Sequence, residues 1–488
     1  TCCTDPDIWL RCAVNQPTAF NQIRILTLSS SAFNSLPLSP ALLENLDSLG
    51  YSEMTPIQAS SLPLMLSGKD VIGQGKTGSG KTAAFGLSLL TNLNVKRFRV
   101  QSLVLCPTRE LADQVAKEIR KLARRIHNIK VLTLCGGMPM GPQIGSLEHS
   151  AHILVGTPGR ILDHLEKGRI NLDELNTLVL DEADRMLEMG FQDALDAILD
   201  EAPKQRQTLL FSATFPKQIQ SVAERVMQKP ELVKVESTHS GNSIEQKFFK
   251  VADTEERLQA VKRLLLEYQA ESSVIFCNTK REVQEVADEL YHAGFDVIDL
   301  HGDLEQRDRD QSLVQFANKS ISILIATDVA ARGLDVDDLD MVINYQLSRD
   351  PEVHVHRIGR TGRAGSKGVA CSLFSEKEMY RVALIDEYMD MPIEPVELPD
   401  EADLPSKPYQ AKMVTIEIAG GKKQKVRPGD ILGALTGDKG IDAGKVGKIN
   451  LFAMRSYVAV ERSVAKKALS KIANGKLKGR NFRARILK

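Results

Sequence analysis

From Ser31 to Val235, short apolar, β-branched runs recur between amphipathic stretches, and this rhythm limits the possible folds more than any other feature of the chain. SLVLC (102–106), HILVG (152–156), TLVLD (177–181) and TLLFS (208–212) each have the length of one strand and lack polar alternation. RELADQVAKEIRKLARRI, between the first two, has the apolar spacing of a helix. Strands apolar on both sides must be covered on both faces, so the pattern predicts a parallel sheet between two helical layers. A polar stretch, ESTHSGNSIEQ (236–246), interrupts the rhythm, which resumes in SVIFC, VIDLH, ILIAT and MVINY and ends near Asp390. Two α/β lobes are expected, at 31–235 and 247–390, with 236–246 as the linker.

MPIEPVELPDEADLPSKP (391–408) follows, with five prolines among scattered acids, a composition that suits an extended spacer. Beyond it, MVTIEI, VGKINLF, SYVAVE and NFRARIL read as strands, and RPGDILGALTG and SVAKKALSKIANG as helices. Their order, β-α-β-β-α-β, is that of a small α+β sandwich at 409–488. The whole chain is formally neutral, yet Tyr409–Lys488 holds 19 Lys and Arg against 5 Asp and Glu. Such asymmetry points to a polyanion-binding module joined to a body with another task. Residues 1–30 carry no sustained period or secretory pattern; they are read as an extension, poorly ordered or non-native, and assigned no function. Seven cysteines form no C-x-x-C pair, and no apolar run is long enough to span a membrane, so a reduced, cytoplasmic protein is expected.

GKTGSGKT (Gly75–Thr82) fits G-x-x-x-x-G-K-[ST], after strand-like DVIGQ and before helical AAFGLSLLTNL. A phosphate-binding loop requires that context. Glycines let backbone N–H groups approach a β-phosphate without a Cβ in the way. Thr77, Gly78, Ser79 and Gly80 would line it, Lys81 would charge-pair the β- and γ-phosphates, and the Thr82 hydroxyl would ligate Mg²⁺. TLVLDEAD closes another apolar run on Asp181 and Glu182. Asp181 is suited to hold Mg²⁺, directly or through water, and Glu182 to orient and deprotonate the attacking water.

With these two motifs in place, VLDEADRMLEMGF (179–191) resembles the signature of the DEAD-box helicases. CPTRELADQV (106–115), GG (136–137), TPGR (157–160), SAT (212–214), VIFCNT (274–279), HGDLEQRDRD (301–310), ATDVAARGLD (326–335) and HRIGRTGR (356–363) stand in that family's order. The resemblance covers roughly Phe33 to Ser372. It implies two tandem RecA-like lobes, ATP with Mg²⁺, and RNA as the partner. It also implies residue roles. Phe33 and Gln58, the end of GYSEMTPIQ, would contact adenine, and Asp335 the ribose. His356, Arg360 and Arg363 would act at the γ-phosphate when the lobes close, and Ser212 and Thr214 would couple nucleotide to closure. Thr108, Arg109, Gly137, Thr157, Arg160, Thr327 and Arg332 would hold RNA phosphates and sugars without reading bases; Gly137 and Thr157 equally suit simple turns.

A motor that grips only backbone leaves target choice to another part of the chain. The tail resembles the RNA-recognition-motif-like domain of bacterial DbpA-type helicases, which act on large-subunit ribosomal RNA. RSYVAVE (455–461) keeps Tyr457 but lacks the paired phenylalanines that stack bases in such domains. RNA contact is therefore expected from Lys422, Lys423, Lys425, Arg480, Arg483 and Arg485, with the helix start at Pro428 facing phosphate. An ATP-dependent RNA helicase directed to 23S ribosomal RNA and large-subunit precursor particles is the leading reading. A nucleotide-gated RNA clamp and a DNA translocase are the alternatives. A monomer with no membrane partner is expected, with oligomers left open.

Overall fold

All the apolar runs named above become strands. The computed structural model describes residues 31–75, 78–215, 217–235, 244–331, 339–362, 367–437 and 440–487, and divides into two units at residue 238. Residues 1–30, Thr77, Arg332, Asp335 and Arg363 lie outside the described residues.

In the first unit, β1 (Val71–Gln74), β2 (Ser102–Leu105), β3 (Val131–Leu134), β4 (Ile153–Gly156), β5 (Thr177–Asp181), β6 (Gln207–Ser212) and β7 (Glu231–Lys234) form one sheet. Its order is β3-β4-β2-β5-β6-β1-β7, parallel throughout. Side chains alternate between two cores: Leu103, Leu105, Leu178 and Leu180 enter one, Val104 and Val179 the other. Burial on both faces is why the middles of these strands run apolar through consecutive positions. The ring of Phe211 on β6 packs against Phe85 of the helix Lys81–Thr91, with centroids 5.4 Å apart. A Cβ at Gly73 on β1 would lie 2.5 Å from the Phe211 ring, so only glycine lets that ring close on the strand leading into the phosphate loop.

The second unit begins with β8 (Ile244–Lys250), β9 (Ser273–Cys277), β10 (Val297–Leu300), β11 (Ile323–Thr327), β12 (Met341–Asn344) and β13 (Gly368–Phe374). They pair in parallel as β10-β11-β9-β12-β13-β8, and β10, a sheet edge, is only half-buried. β14 (Met413–Ile418), β15 (Val446–Leu451), β16 (Ser456–Glu461) and β17 (Ala484–Ile486) make a separate antiparallel sheet, β15-β16-β14-β17. The helices Pro428–Thr436 and Ala465–Asn474 cover one face of it, where Ile416, Val458, Ile431 and Ile472 share a core. β17 is shorter than NFRARIL suggests, because Phe482 turns aside to lie over Gly420, where a Cβ would meet its ring.

Two features of this unit differ from a motor with a loosely tethered tail. The proline-rich segment is strapped to the second lobe. The Val396 N–H donates to the Phe248 carbonyl at 2.8 Å and Arg263 Nε to the Pro399 carbonyl at 2.7 Å, while Ile393 and Leu398 pack on the lobe's cores. β8 is an edge strand with unpaired backbone groups, and an extended proline-rich segment covers it without needing a full ladder. The helix-free face of the tail sheet is covered as well. Thr415 Oγ1 accepts from Asn318 Nδ2 at 3.2 Å and lies 2.7 Å from Ser320 Oγ, and Tyr457 is buried against Val314 and Leu487. The residue kept from the base-stacking motif is thus packing against protein.

Candidate active site and RNA-contact residues

The ends of β1, β5 and β6 assemble the nucleotide chemistry. The loop after β1 enters the helix Lys81–Thr91 through Gly78 (φ 82°) and Gly80 (φ 94°), left-handed positions that other residues reach only with strain. Lys81 is buried, and its Nζ donates to the Gly75 carbonyl at 2.6 Å. The Gly75 N–H donates to the Ser212 carbonyl at 3.1 Å, which ties the loop to β6. Gln58 braces the loop from outside: Nε2 donates to the Gly80 carbonyl at 3.0 Å, and Oε1 accepts the Thr55 N–H at 2.9 Å. A Cβ on Gly80 would strike both Gln58 and Thr55. Each end of the Gln58 amide thus makes one bond to the protein and keeps a second N–H or lone pair. Phe33 is buried, edge-on to Tyr51 at 6.3 Å.

Asp181 ends β5 fully out of water. Burial pushes its carboxyl up to about 7, against the pull of Lys81. A buried carboxylate beside a lysine and a hydroxyl-bearing loop is a donor set suited to a cation bridging to phosphate. Glu182 adopts φ 52° and ψ 52°, the left-handed region, at a cost of about 1–3 kcal/mol for a residue with a side chain. That conformation starts the helix Ala183–Glu188 immediately behind it. Of the two coupling residues, Thr214 is engaged: its Oγ1 and N–H donate to Asp184 Oδ2 at 3.0 and 3.2 Å. The Ser212 hydroxyl is buried and has no hydrogen-bond partner among the described residues.

The other half of the same sheet edge gathers the RNA-contact candidates. Thr108 caps the helix Arg109–Leu122, its Oγ1 accepting the Leu111 N–H at 3.2 Å. The Arg109 guanidinium lies where a Cβ of Gly137 (φ 67°) would be; the turn favours glycine for its left-handed dihedral, and a side chain there would push the guanidinium aside. Thr157 Oγ1 accepts the Gly136 N–H at 3.3 Å, and Arg160 Nη1 donates to the Met138 carbonyl at 3.2 Å. The ends of β3 and β4 are thereby hydrogen-bonded to each other, and Arg109 from the end of β2 packs against Gly137 beside them.

In the second lobe, Thr327 ends β11, and its Oγ1 accepts the Ala330 N–H at 3.4 Å. His356 lies on the helix Pro351–Ile358 and Arg360 just after it, both half-buried. In the tail, Lys422, Lys423, Lys425, Arg480, Arg483 and Arg485 are all exposed. Lys478 Nζ donates to the Lys425 carbonyl at 3.1 Å, which joins the two basic loops. Arg485 Nε is held by Glu417 at 2.6 Å. The helix start at Pro428 is not open to phosphate as expected: Asp430 Oδ2 already accepts the Arg427 N–H at 2.9 Å and sets a carboxylate in the first turn.

Family comparisons agree with this division of labour. Residues 55–222 match the DEAD/DEAH box helicase family, 256–365 the helicase conserved C-terminal domain, and 415–486 the DbpA RNA binding domain. The chain is 53% identical to ATP-dependent RNA helicase DbpA of Escherichia coli (strain K12), across 94% of this chain and 99% of that one. The chain belongs to the DEAD-box ATP-dependent RNA helicases of the DbpA type. ATP-dependent RNA helicase CshA of Listeria monocytogenes is 43% identical over 76% of this chain and 71% of its own, so that likeness leaves out about a quarter of this chain. Among solved structures, S. cerevisiae Dbp5 bound to RNA and ADP BeF3 aligns with a TM-score of 0.68 and 30% identity, over 75% of this chain and 96% of that one.

In this helicase two groups escaped the sequence reading. Asp184 is the last letter of DEAD, and its carboxylate, not that of its neighbours, meets Thr214. The signal was in the motif. Arg357, inside HRIGRTGR, is buried, and its guanidinium is filled on every side. Nε and Nη2 fork onto the Asp328 carboxylate at 2.6 and 2.8 Å, Nη2 also reaches Asn278 Oδ1 at 2.8 Å, and Nη1 donates to the Gln346 carbonyl at 2.7 Å. Nothing in the sequence separated this arginine from Arg360.

Proposed function

We propose that this helicase opens short duplexes in 23S ribosomal RNA during large-subunit assembly, in the cytoplasm, with the tail as its anchor. Within the ATPase cycle, Thr82 and Asp181 hold Mg²⁺, Lys81 faces the β- and γ-phosphates, and Glu182 takes the proton of the attacking water. Arg360 and Arg363 neutralise charge spreading over the γ-phosphoryl oxygens. Phe33, Gln58 and Asp335 locate the nucleoside. Thr108, Arg109, Gly137, Thr157, Arg160, Thr327 and Arg332 grip a single strand without reading its bases. The Dbp5 structure that aligns with this chain carries RNA and ADP BeF3, which supports a state that holds nucleotide and RNA together.

The observation that carries the target assignment is the pair of basic loops joined by Lys478 and Lys425 on a domain whose sheet face is occupied. With Tyr457 buried, selection falls to Lys422, Lys423, Lys425, Arg480 and Arg483. The test is crosslinking and sequencing of RNA bound to the full chain and to a variant with these five changed to alanine. Wild type is expected to concentrate on a few sites in 23S ribosomal RNA, and the variant to spread over many RNAs while keeping RNA-stimulated ATP hydrolysis. Identical site patterns for the two proteins would refute the anchor.

A further inference from the structure

The second lobe carries an aromatic stripe that neither nucleotide nor RNA chemistry accounts for. On the helix Met379–Met389, Tyr380, Leu384 and Tyr388 recur every fourth residue and so share one face. They are 58%, 43% and 54% exposed, whereas Val382 and Ile385 on the opposite face are buried in the lobe. The strap lies beside this helix, because the Asp386 carboxylate accepts the Ile393 N–H at 3.3 Å, and it adds Val396, also 43% exposed. Half-exposed tyrosines flanking a leucine are the side chains that anchor protein interfaces: large, stiff, and apolar with one polar tip.

Charge decides what such a face accepts. Val382 to Ser406, which spans most of the helix and the strap, contains eight Asp and Glu and no Lys, Arg or His. Two cations at its border are engaged. Arg381 donates to the Leu347 carbonyl at 2.8 Å and stacks over the Tyr380 ring at 5.6 Å, and Lys250 pairs with Glu376 at 2.5 Å. Glu352 and Asp350 add negative charge near Tyr388. This surface repels RNA, the substrate of the enzyme that carries it. We propose that it docks a lysine- and arginine-rich protein segment with apolar side chains of its own. The apolar groups seat on Tyr380, Leu384 and Tyr388, and the cations pair with the acids alongside. Proteins that coat RNA carry Lys and Arg for its phosphates, so an RNA-directed motor meets such segments where it works. The inference does not depend on which RNA the tail selects.

The test uses the full chain, free of RNA, and fluorescence anisotropy of a short helical peptide of lysine and leucine. Labelled polylysine and a labelled glutamate–leucine counterpart are titrated separately in the same way. The lysine–leucine peptide is expected to bind, and Tyr380→Ser with Leu384→Ser and Tyr388→Ser to weaken it by about tenfold or more. Because the three side chains are exposed, the variant should fold and retain RNA-stimulated ATPase, which is measured in parallel. Several results would overturn the proposal: equal binding by the triple variant, or equal affinity for polylysine or for the glutamate–leucine peptide. So would self-association in sedimentation that the triple variant loses, since a second copy would then be the occupant.

Discussion

Glu182 is the one residue of the DEAD sequence held in a left-handed backbone conformation (φ 52°), and the strain sits on the residue proposed to deprotonate the attacking water. Removing the side chain separates the two effects. Glu182→Gly is expected to stabilise the fold by about 1 kcal/mol in urea denaturation while hydrolysis is lost. Glu182→Gln keeps the strain and still lowers kcat by roughly 10²–10⁴, with ATP binding retained. A glycine variant no more stable than wild type would show that the conformation costs nothing. Asp181, next to it, makes a pH prediction. Its carboxyl is pushed from the usual carboxylate range up to about 7, so the folded protein holds a proton there that the unfolded chain releases near pH 4. Stability from this group is therefore complete below about pH 4 and lost as pH rises toward 7. The wild-type minus Asp181→Asn difference in Tm, without nucleotide, should fall across that window; a flat difference would count against a buried carboxyl. Both residues could be picked from the sequence as candidates because phosphate and metal chemistry favours those residue types at that spacing. The pairing of Asp184 with Thr214 could not, since a hydrogen bond between the ends of β5 and β6 leaves no spacing rule.

Among elements, β11 and the helix Pro351–Ile358 are locked by one guanidinium. Arg357 ties Asp328, just past β11, to Asn278 and to the Gln346 carbonyl, and it lies under the turn that carries Arg360. Arg357→Met leaves the partly exposed Asp328 carboxylate without its fork and should cost about 2–3 kcal/mol, less than the penalty for a fully buried uncompensated charge. Adding Asp328→Asn should return a large part of that loss, read as a coupling energy in a double-mutant cycle. Additive losses would mean that the two groups do not act as a pair. Strands were the most legible elements: a sheet buried on both faces must be written in continuous apolar runs, and VIDLH, at an edge, is only partly buried. The strap was less so. Prolines announce extension, but whether an extended segment floats or lies on an edge strand depends on β8, some hundred and fifty residues earlier.

Across the whole molecule, neutrality conceals a division of charge that matches the division of work. The tail carries 19 Lys and Arg against 5 Asp and Glu, and the acids that balance it sit in the rest of the chain, eight of them between Val382 and Ser406. Composition made the basic domain visible, but not which of its faces is free. That was settled by Thr415, Tyr457 and the residues of the second lobe that cover them. The covered face leaves phosphate contact as the main term in the tail's affinity, and phosphate contact has a measurable signature. Each lysine that neutralises a phosphate of a single strand releases counterions and contributes about 0.7 to the slope of log Kobs against log salt concentration. Changing Lys422, Lys423 and Lys425 together to alanine should therefore lower the slope by roughly 2, with binding weakened most at low salt. ATP turnover at saturating RNA should stay at the wild-type value, because none of the three lies in the nucleotide site. If the variant lost affinity equally at all salt concentrations, the loops would be acting through shape or base contacts, and the electrostatic reading of the tail would fail.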